Sequence, residues 1–547
     1  MRISRRVTAL LLLCLSMGAT RPLWAQTASP AAASTANQTA TTTQAPAYAP
    51  VYAPADATAT APANTQTITP ANAQANAPGG TVVNLGLADA VKLAVERNLD
   101  LKVELYNPAM GEADIRRNEG IFDPLVTASV DYTRTASPNT FNFQPFIVDQ
   151  VNGTAGVSQL LSTGGSVGVN ANSGYVSNSA SYFSSGTNFS VTQPLLRNFG
   201  KEATELNINV ARFTKEGDLD RFRTKLSATV AQVRSDYLKL YNFQEVLAVQ
   251  RTALALANRI LVETKGRVKA GVLPAMEILS AEFSVATREK AVIDAERAVR
   301  DQMDLLRLEL QLPAGRDLVL VDRPYREPYQ VPEAQAVRDA LENRPELSAQ
   351  RVSIRINDLQ QRVARNRTRP DLNLTANVGT AGFAQSFLRS YQKTISADDP
   401  VWGVGLQFSY PIGNRAAEND YIRAKLAVDQ AKTQLQSLES GVVNDVRAAL
   451  RLVEASYKQI EVTSRGRAYA EERLRAFQKR NAVGLATAKD VFDVENDLVA
   501  AQGNEIQALV DYNNAITQLW LVSGVILDRQ GIKLSEKEAD ALYEGAK

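Results

Sequence analysis

Seventy-one residue steps separate Gly200 from Gly271 without a proline, and apolar residues recur every seven positions at Leu226, Val233, Leu240, Leu247, Leu254, Leu261 and Val268. A helix over this stretch is roughly 105 Å long at about 1.5 Å per residue, wider than a compact domain. The sustained period of seven predicts coiled-coil-like packing against neighbouring helices. A second stretch, Asn414 to Gly484, carries Val446, Val453, Ile460 and Leu474 in the same seam, with Arg467 interrupting it.

Each stretch ends in the same pattern, Arg-x3-Gly-x10-Glu: Arg267, Gly271 and Glu282, then Arg480, Gly484 and Glu495, 213 residues later. Upstream, Ala90, Val91, Ala94, Glu96, Leu101 and Pro124 recur after 246 residues as Ala336, Val337, Ala340, Glu342, Leu347 and Pro370. The chain is an internal duplication, and the halves need not be self-sufficient. Past each glycine a shorter helix returns, Pro274 to Leu312 and Thr487 to Val525. Neither can cover a 70-residue rod alone. The segments Leu101 to Gly120 and Glu346 to Arg369 are expected to complete the cover, stacked end to end with the return helices.

Before each long helix the periodicity changes to two. Trp402, Val404, Leu406, Phe408 and Tyr410 alternate with small or polar residues, as do Leu372 to Val378, Val126 to Tyr132, and Phe189 with Val191. Such strands make a sheet with one apolar and one polar face. In a soluble sandwich the apolar face covers a core; in a transmembrane barrel it faces lipid. Four strands cannot close a barrel and open edges are not tolerated in lipid, so a barrel requires strands from several chains. The first copy is 29 residues longer in this region, and the Ser/Gly/Asn-rich stretch 153–186 is read as an extended loop or an additional hairpin there.

The ends and the composition narrow the function. Residues 1–26 read as a secretory signal, with Arg2, Arg5 and Arg6 before the apolar run Val7 to Leu15. Residues 27–80, rich in Ala, Pro and Thr, read as a disordered tether. The first repeat is expected over 81–312, the second over 313–530, and a C-terminal tail over 531–547. Cys14 is the only cysteine and there is no histidine, which removes cysteine nucleophiles, Ser-His-Asp triads and histidine metal sites. No phosphate-cradling glycine loop is present. A net charge of +2 makes no case for nucleic acid. A hydrolase using paired carboxylates is left, and no carboxylate pair is tied to a binding cleft; the reading is no enzyme, no cofactor and no metal.

Together, Leu87-Ala-Asp-Ala-Val-Lys-Leu-Ala-Val-Glu-Arg-Asn98, Gln193-Pro-Leu-Leu-Arg-Asn-Phe-Gly200, the tip Val483-Gly484-Leu485 and the following Asp490-Val-Phe-Asp493 resemble the TolC-like outer-membrane efflux proteins, from about Leu85 to Leu527. The resemblance implies an α+β membrane protein, a homotrimer in which four strands per chain build a 12-stranded barrel in outer-membrane lipid. A helical coiled-coil barrel would continue it through the periplasm. It also implies an exit duct serving a periplasmic adaptor and an inner-membrane transporter, in efflux or type I secretion. Asp490 and Asp493 would form a carboxylate ring at the entrance, where like-charge crowding should raise proton affinity, with Glu277 as the first-half counterpart. Ala270, Gly271, Val272, Val483, Gly484 and Leu485 would dock the adaptor. The family's closing tyrosine and arginine are replaced by Asn481 and Ala486, leaving Arg267, Arg480 or Lys489 as tip-closing charges, with Glu277 as a partner. The competing reading is a soluble periplasmic coiled-coil structural protein.

Overall fold

A computed structural model describes residues 83–138, 145–177, 181–313, 317–532 and 537–546. The signal and tether assigned to 1–26 and 27–80 lie outside the described residues.

In chain order the first half contains β1 (Val83–Leu85), α1 (Leu87–Arg97) and α2 (Leu99–Glu119), then four strands, β2 (Leu125–Pro138), β3 (Pro145–Leu160), β4 (Ser166–Ser177) and β5 (Tyr182–Pro194). A short α3 (Lys201–Thr204) leads into the long α4 (Leu206–Lys269), and α5 (Met276–Leu310) returns. The second half begins with β6 (Leu318–Leu320), α6 (Glu333–Asn343) and α7 (Pro345–Arg367). It continues with β7 (Asp371–Ala384), α8 (Phe387–Ser396) and β8 (Asp399–Ser409), then the helices α9 (Arg415–Ala482) and α10 (Ala488–Val522). Two short helices follow, α11 (Ile526–Arg529) and α12 (Lys537–Gly545).

The long helices have 64 and 68 residues, about 96 and 102 Å at the helical rise. Their seams are buried where the heptads are strongest: Val233, Leu240 and Val446 are fully inaccessible. Arg467, which breaks the second seam, donates to Glu505 at 2.9 Å and to Glu471 at 2.8 Å.

The expected end-to-end stacking is present in both halves. Helices α2 and α5 both pack on α4, and the Asn98 side chain at the start of α2 donates to the Glu309 carbonyl near the end of α5 at 3.2 Å. In the second half Gly524, just past α10 with φ of +70°, sits so close to Asn343 and Arg344 that a Cβ would lie 2.9 Å from backbone. Glycine is required there twice, by conformation and by contact.

The halves are fastened by features that no short-range pattern signals. Strands β1 and β6 pair in parallel. The Tyr237 hydroxyl on α4 donates to the Leu85 carbonyl and accepts from the Asp322 amide, both at 3.1 Å. Arg234, also on α4, lies 4.7 Å above the Trp520 ring, and burial pushes its pKa down to about 10. Its repeat counterpart Arg447 is exposed and pairs with Glu333 at 2.7 Å.

The main sheet corrects the expected strand count. It holds six antiparallel strands, ordered β2-β3-β4-β5-β7-β8, not four. Most of the Ser/Gly/Asn-rich stretch is regular ladder in β3, β4 and β5. Of the two readings of that stretch the additional hairpin is the one present, and the four-per-chain expectation fails because its glycine, serine and asparagine, which have the composition of a loop, here form one face of the sheet. Register places Val126, Val157, Val169, Phe189, Val378 and Trp402 side by side across all six strands. On the opposite face the adjoining row is Leu125, Ser158, Gly168, Ser190, Asn377 and Gly403. Trp402 is 75% exposed and Val126 72%, and the row itself stays open, while α8 lies over the same face of β5 and β7 next to it, where the Thr380 hydroxyl donates to the Thr394 carbonyl and the Ser390 hydroxyl to that of Gly382. Among the described residues, no strand pairs with the outer edge of β2 or of β8.

Candidate functional site: the paired helical tips

Both long helices end in the same hydrogen-bonded turn. In the first, the Gly271 amide donates to the Val268 carbonyl and the Val272 amide to that of Arg267, each at 2.9 Å. In the second, the Gly484 amide reaches Asn481 at 3.1 Å and the Leu485 amide reaches Arg480 at 2.9 Å. This is the Schellman closure, which satisfies the last helical carbonyls by placing the next residue in the left-handed region. The glycines take that role, with φ of +75° and +76°. A Cβ at either site would meet no atom within 4 Å, so backbone conformation selects glycine here. The repeated arginines supply the carbonyls that accept the bond closing the wider ring of each turn.

The side chains diverge. Arg267 crosses to the other tip, where its Nη1 donates to the Asn481 carbonyl at 2.9 Å and to Asn481 Oδ1 at 3.4 Å. Asn481 in turn donates to the Ala486 carbonyl at 2.9 Å, bracing the second turn from inside. Arg480 instead lies 5.4 Å over the Phe477 ring. Among the described residues, neither Arg480 nor Lys489 forms an ion pair with Glu277. Within one chain the tips are joined by the arginine–asparagine contact.

Asp490 and Asp493 both fall at the start of α10, as their spacing predicted, but they do different work. Thr487 caps the helix: its amide and hydroxyl donate to Asp490 Oδ2, each at 2.8 Å, and its hydroxyl accepts from the Asp490 amide at 3.2 Å. Hydrogen bonds from the Thr487 backbone and then its side chain hold the Asp490 carboxyl below the usual carboxylate range. That is opposite in direction to the crowding effect expected of a ring. Asp493 is exposed. The capping-box spacing of Thr487 to Asp490 was readable from sequence.

Two further features go beyond what the pattern could place: it marked Glu495, Val272, Val483 and Leu485, but neither the burial of the first nor the apolar neighbours of the others. Glu495 is only 2% exposed and lies 3.6 Å from Arg288, whose Nη2 also donates to Asn496 at 2.6 Å. Burial pushes the Glu495 carboxyl up, against the opposing pull of Arg288. Around it Ala257, Ile260, Ala281, Val285, Leu474, Val491 and Phe492 form a small core shared by both hairpins. The second feature is apolar surface: Val272, Met276, Leu279 and Phe283 on the first hairpin, and Val483 and Leu485 on the second, are each at least 67% exposed. Ala270 is exposed beside them.

No group of three or more metal-ligating side chains occurs among the described residues, and no described helix is long and apolar enough to cross a membrane. The arrangement is one of surfaces and charges.

Two long helical hairpins joined to an antiparallel sheet, with matching glycine tips, constitute the fold of TolC-type outer-membrane channels. The Campylobacter jejuni CmeC outer membrane channel aligns over 84% of this chain and 89% of its own, with a TM-score of 0.61 at 14% identity. The open-state Neisseria gonorrhoeae MtrE outer membrane channel aligns over 81% and 89%, with a TM-score of 0.58 at 17% identity. The chain belongs to the outer membrane efflux protein family, whose model matches residues 90–308 and 336–525. It is 22% identical over 347 residues to the outer membrane efflux protein BepC of Brucella suis biovar 1, spanning 63% of this chain and 74% of BepC. Outer membrane protein TolC of Escherichia coli is 25% identical over 317 residues, 56% of this chain and 62% of TolC. The family's members are channels, and this protein is not an enzyme.

Proposed function

We propose that the protein is an outer-membrane exit duct that passively conducts substrates delivered by a periplasmic adaptor and an inner-membrane pump. The observation that carries this reading is the uncovered apolar row from Val126 to Trp402 on a sheet with two free edges. A soluble periplasmic protein would leave that row in water, whereas a lipid-facing wall has every reason to keep it. Open edges are not tolerated in lipid, so copies of the chain close one barrel between them; the family resemblance supports three.

The helices would then extend into the periplasm with the glycine tips at the far end. Val272, Val483 and Leu485 offer the apolar surface an adaptor hairpin needs, with Ala270, Gly271 and Gly484 keeping the turns slim. Asp493 and the capped Asp490, repeated around the symmetry axis with Glu277, would favour cations at the entrance. Arg480 and Lys489 are available to an acid on a neighbouring copy. Opening would be a shift of packed helices between two arrangements.

Membrane fractionation tests the reading. A heat-modifiable oligomer in the outer-membrane fraction, with export lost on deletion, is expected. A soluble periplasmic monomer would overturn it.

A further inference from the structure

We infer that the additional hairpin β3–β4 is part of the membrane wall, and that three copies join edge to edge, β8 to β2, into a barrel of eighteen strands. This rests on the exit-duct reading above.

The first argument is register. An insertion folded outside the wall has no need to match its neighbours' faces. Yet Val157 and Val169 stand in the apolar row between Val126 and Phe189, and their exposures of 44% and 52% match Phe189 at 44%. On the other face β3 and β4 place Gly156, Ser158, Gly168 and Asn170 level with Ser190 and Asn188. Each inserted strand has the lipid-and-lumen alternation of a barrel strand, with 16 and 12 residues, enough to cross the hydrocarbon region.

The second argument is direction. Successive strands in the order β2 to β8 are all antiparallel, and the number is even. The edge strand β8 of one copy therefore runs opposite to β2 of the next, and the seam continues the pattern. An odd insertion would have forced a parallel seam.

The third argument is stagger. The row that starts at Leu125, the first residue of β2, reaches Ser158 two residues from the end of β3 and Ser190 four from the end of β5. It finishes at Gly403, six from the end of β8. A climb of about 20 Å over five or six strand spacings of about 4.8 Å is a tilt of roughly 35–40°. Closed barrels tilt their strands by about 35–45°. Closing at one level would set Trp402 of one copy opposite a residue six beyond Val126 on the next, which is Tyr132. Because diameter grows roughly linearly with strand number, eighteen strands make a portal about half as wide again as twelve. The narrow point would then lie at the helical tips.

Cysteine chemistry in a Cys14→Ser background tests this in intact outer membranes. A thiol in lipid is scarcely ionised and should react with a water-soluble maleimide on the order of tenfold more slowly than one lining water. Val157→Cys and Val169→Cys are expected to be slow, like Val378→Cys, while Asn170→Cys reacts fast, like Asn377→Cys. Fast labelling at 157 and 169 with slow labelling at 378 overturns the eighteen-strand wall but leaves the duct intact. Fast labelling at all three removes the duct reading as well. Trp402→Cys is then combined in turn with Val130→Cys, Tyr132→Cys or Arg134→Cys and bridged with a short bis-maleimide. A covalent species of three copies is expected. A ladder ending at two copies, or no product from any pair, overturns the three-copy closure.

Discussion

The two tips have nearly the same backbone and different chemistry. Gly271 and Gly484 differ by one degree in φ and close the same pair of hydrogen bonds. Yet Glu282 sits in solvent beside Lys265 at 2.8 Å, while Glu495, its counterpart, is buried against Arg288. Arg267 ties one tip to the other, while Arg480 rests on a phenylalanine. The N-terminus of α10 has a capping box, while α5 is preceded by Ala275, which offers no side-chain cap. Duplication preserves what a local pattern can enforce, namely the turn. Where each side chain goes is decided by the helix it meets.

The two tips should differ most when the glutamates' partners are removed. Arg288→Met should destabilise the protein by about 3 kcal/mol at pH 8, because a buried carboxylate is left alone. Lys265→Met should change stability by no more than about 0.5 kcal/mol, as for other exposed pairs. Since burial raises the Glu495 pKa, the protonated form is the one favoured in the folded state. Its contribution is full below the unfolded pKa and lost as pH rises through the folded one. The Arg288→Met deficit should therefore shrink between pH 8 and pH 5 in denaturant titrations, and a pH-independent deficit would count against the assignment.

Replacing the glycines separates shared backbone from unshared function. Gly271→Ala and Gly484→Ala should each lower stability by about 1 kcal/mol through left-handed strain. If the second tip is the main docking end, export and adaptor cross-linking should fall further in Gly484→Ala. Equal export defects would make the tips functionally equivalent.

Smaller effects are expected at the cap. Thr487→Val should lose up to about 1 kcal/mol of helix stability in thermal unfolding. The depressed Asp490 pKa favours folding above the unfolded value and loses that contribution as pH falls through the folded one. The wild type should accordingly show an acid-dependent loss that Asp490→Asn lacks and that Thr487→Val, which keeps the backbone bond to Asp490, shows only in part. The least disturbing change is Asp490→Asn with Asp493→Asn, expected to leave the fold in place while reducing cation preference in single-channel recordings. Unchanged selectivity would detach both residues from the entrance.

Much of the fold could be read from short-range pattern. Seven-residue spacing produces the long helices because apolar residues that share a face must be covered, and the glycines end them because only the left-handed region satisfies the last carbonyls. An additional hairpin was one of two readings open at 153–186; that it joins the main sheet was not readable. Asn170, Gly168 and Ser158 have the composition of a loop, and only the ladder beside them makes them one face of a wall.

Periodicity and the turns are written in residues a few positions apart, and the duplication in the recurrence of the same short patterns, so all three could be read before any packing was known. The tertiary structure alone decided that two more strands complete the sheet, that Arg267 finds Asn481 across 214 positions, and that one of two equivalent glutamates is buried. Each of these depends on which distant surface arrives opposite, and that is settled by packing.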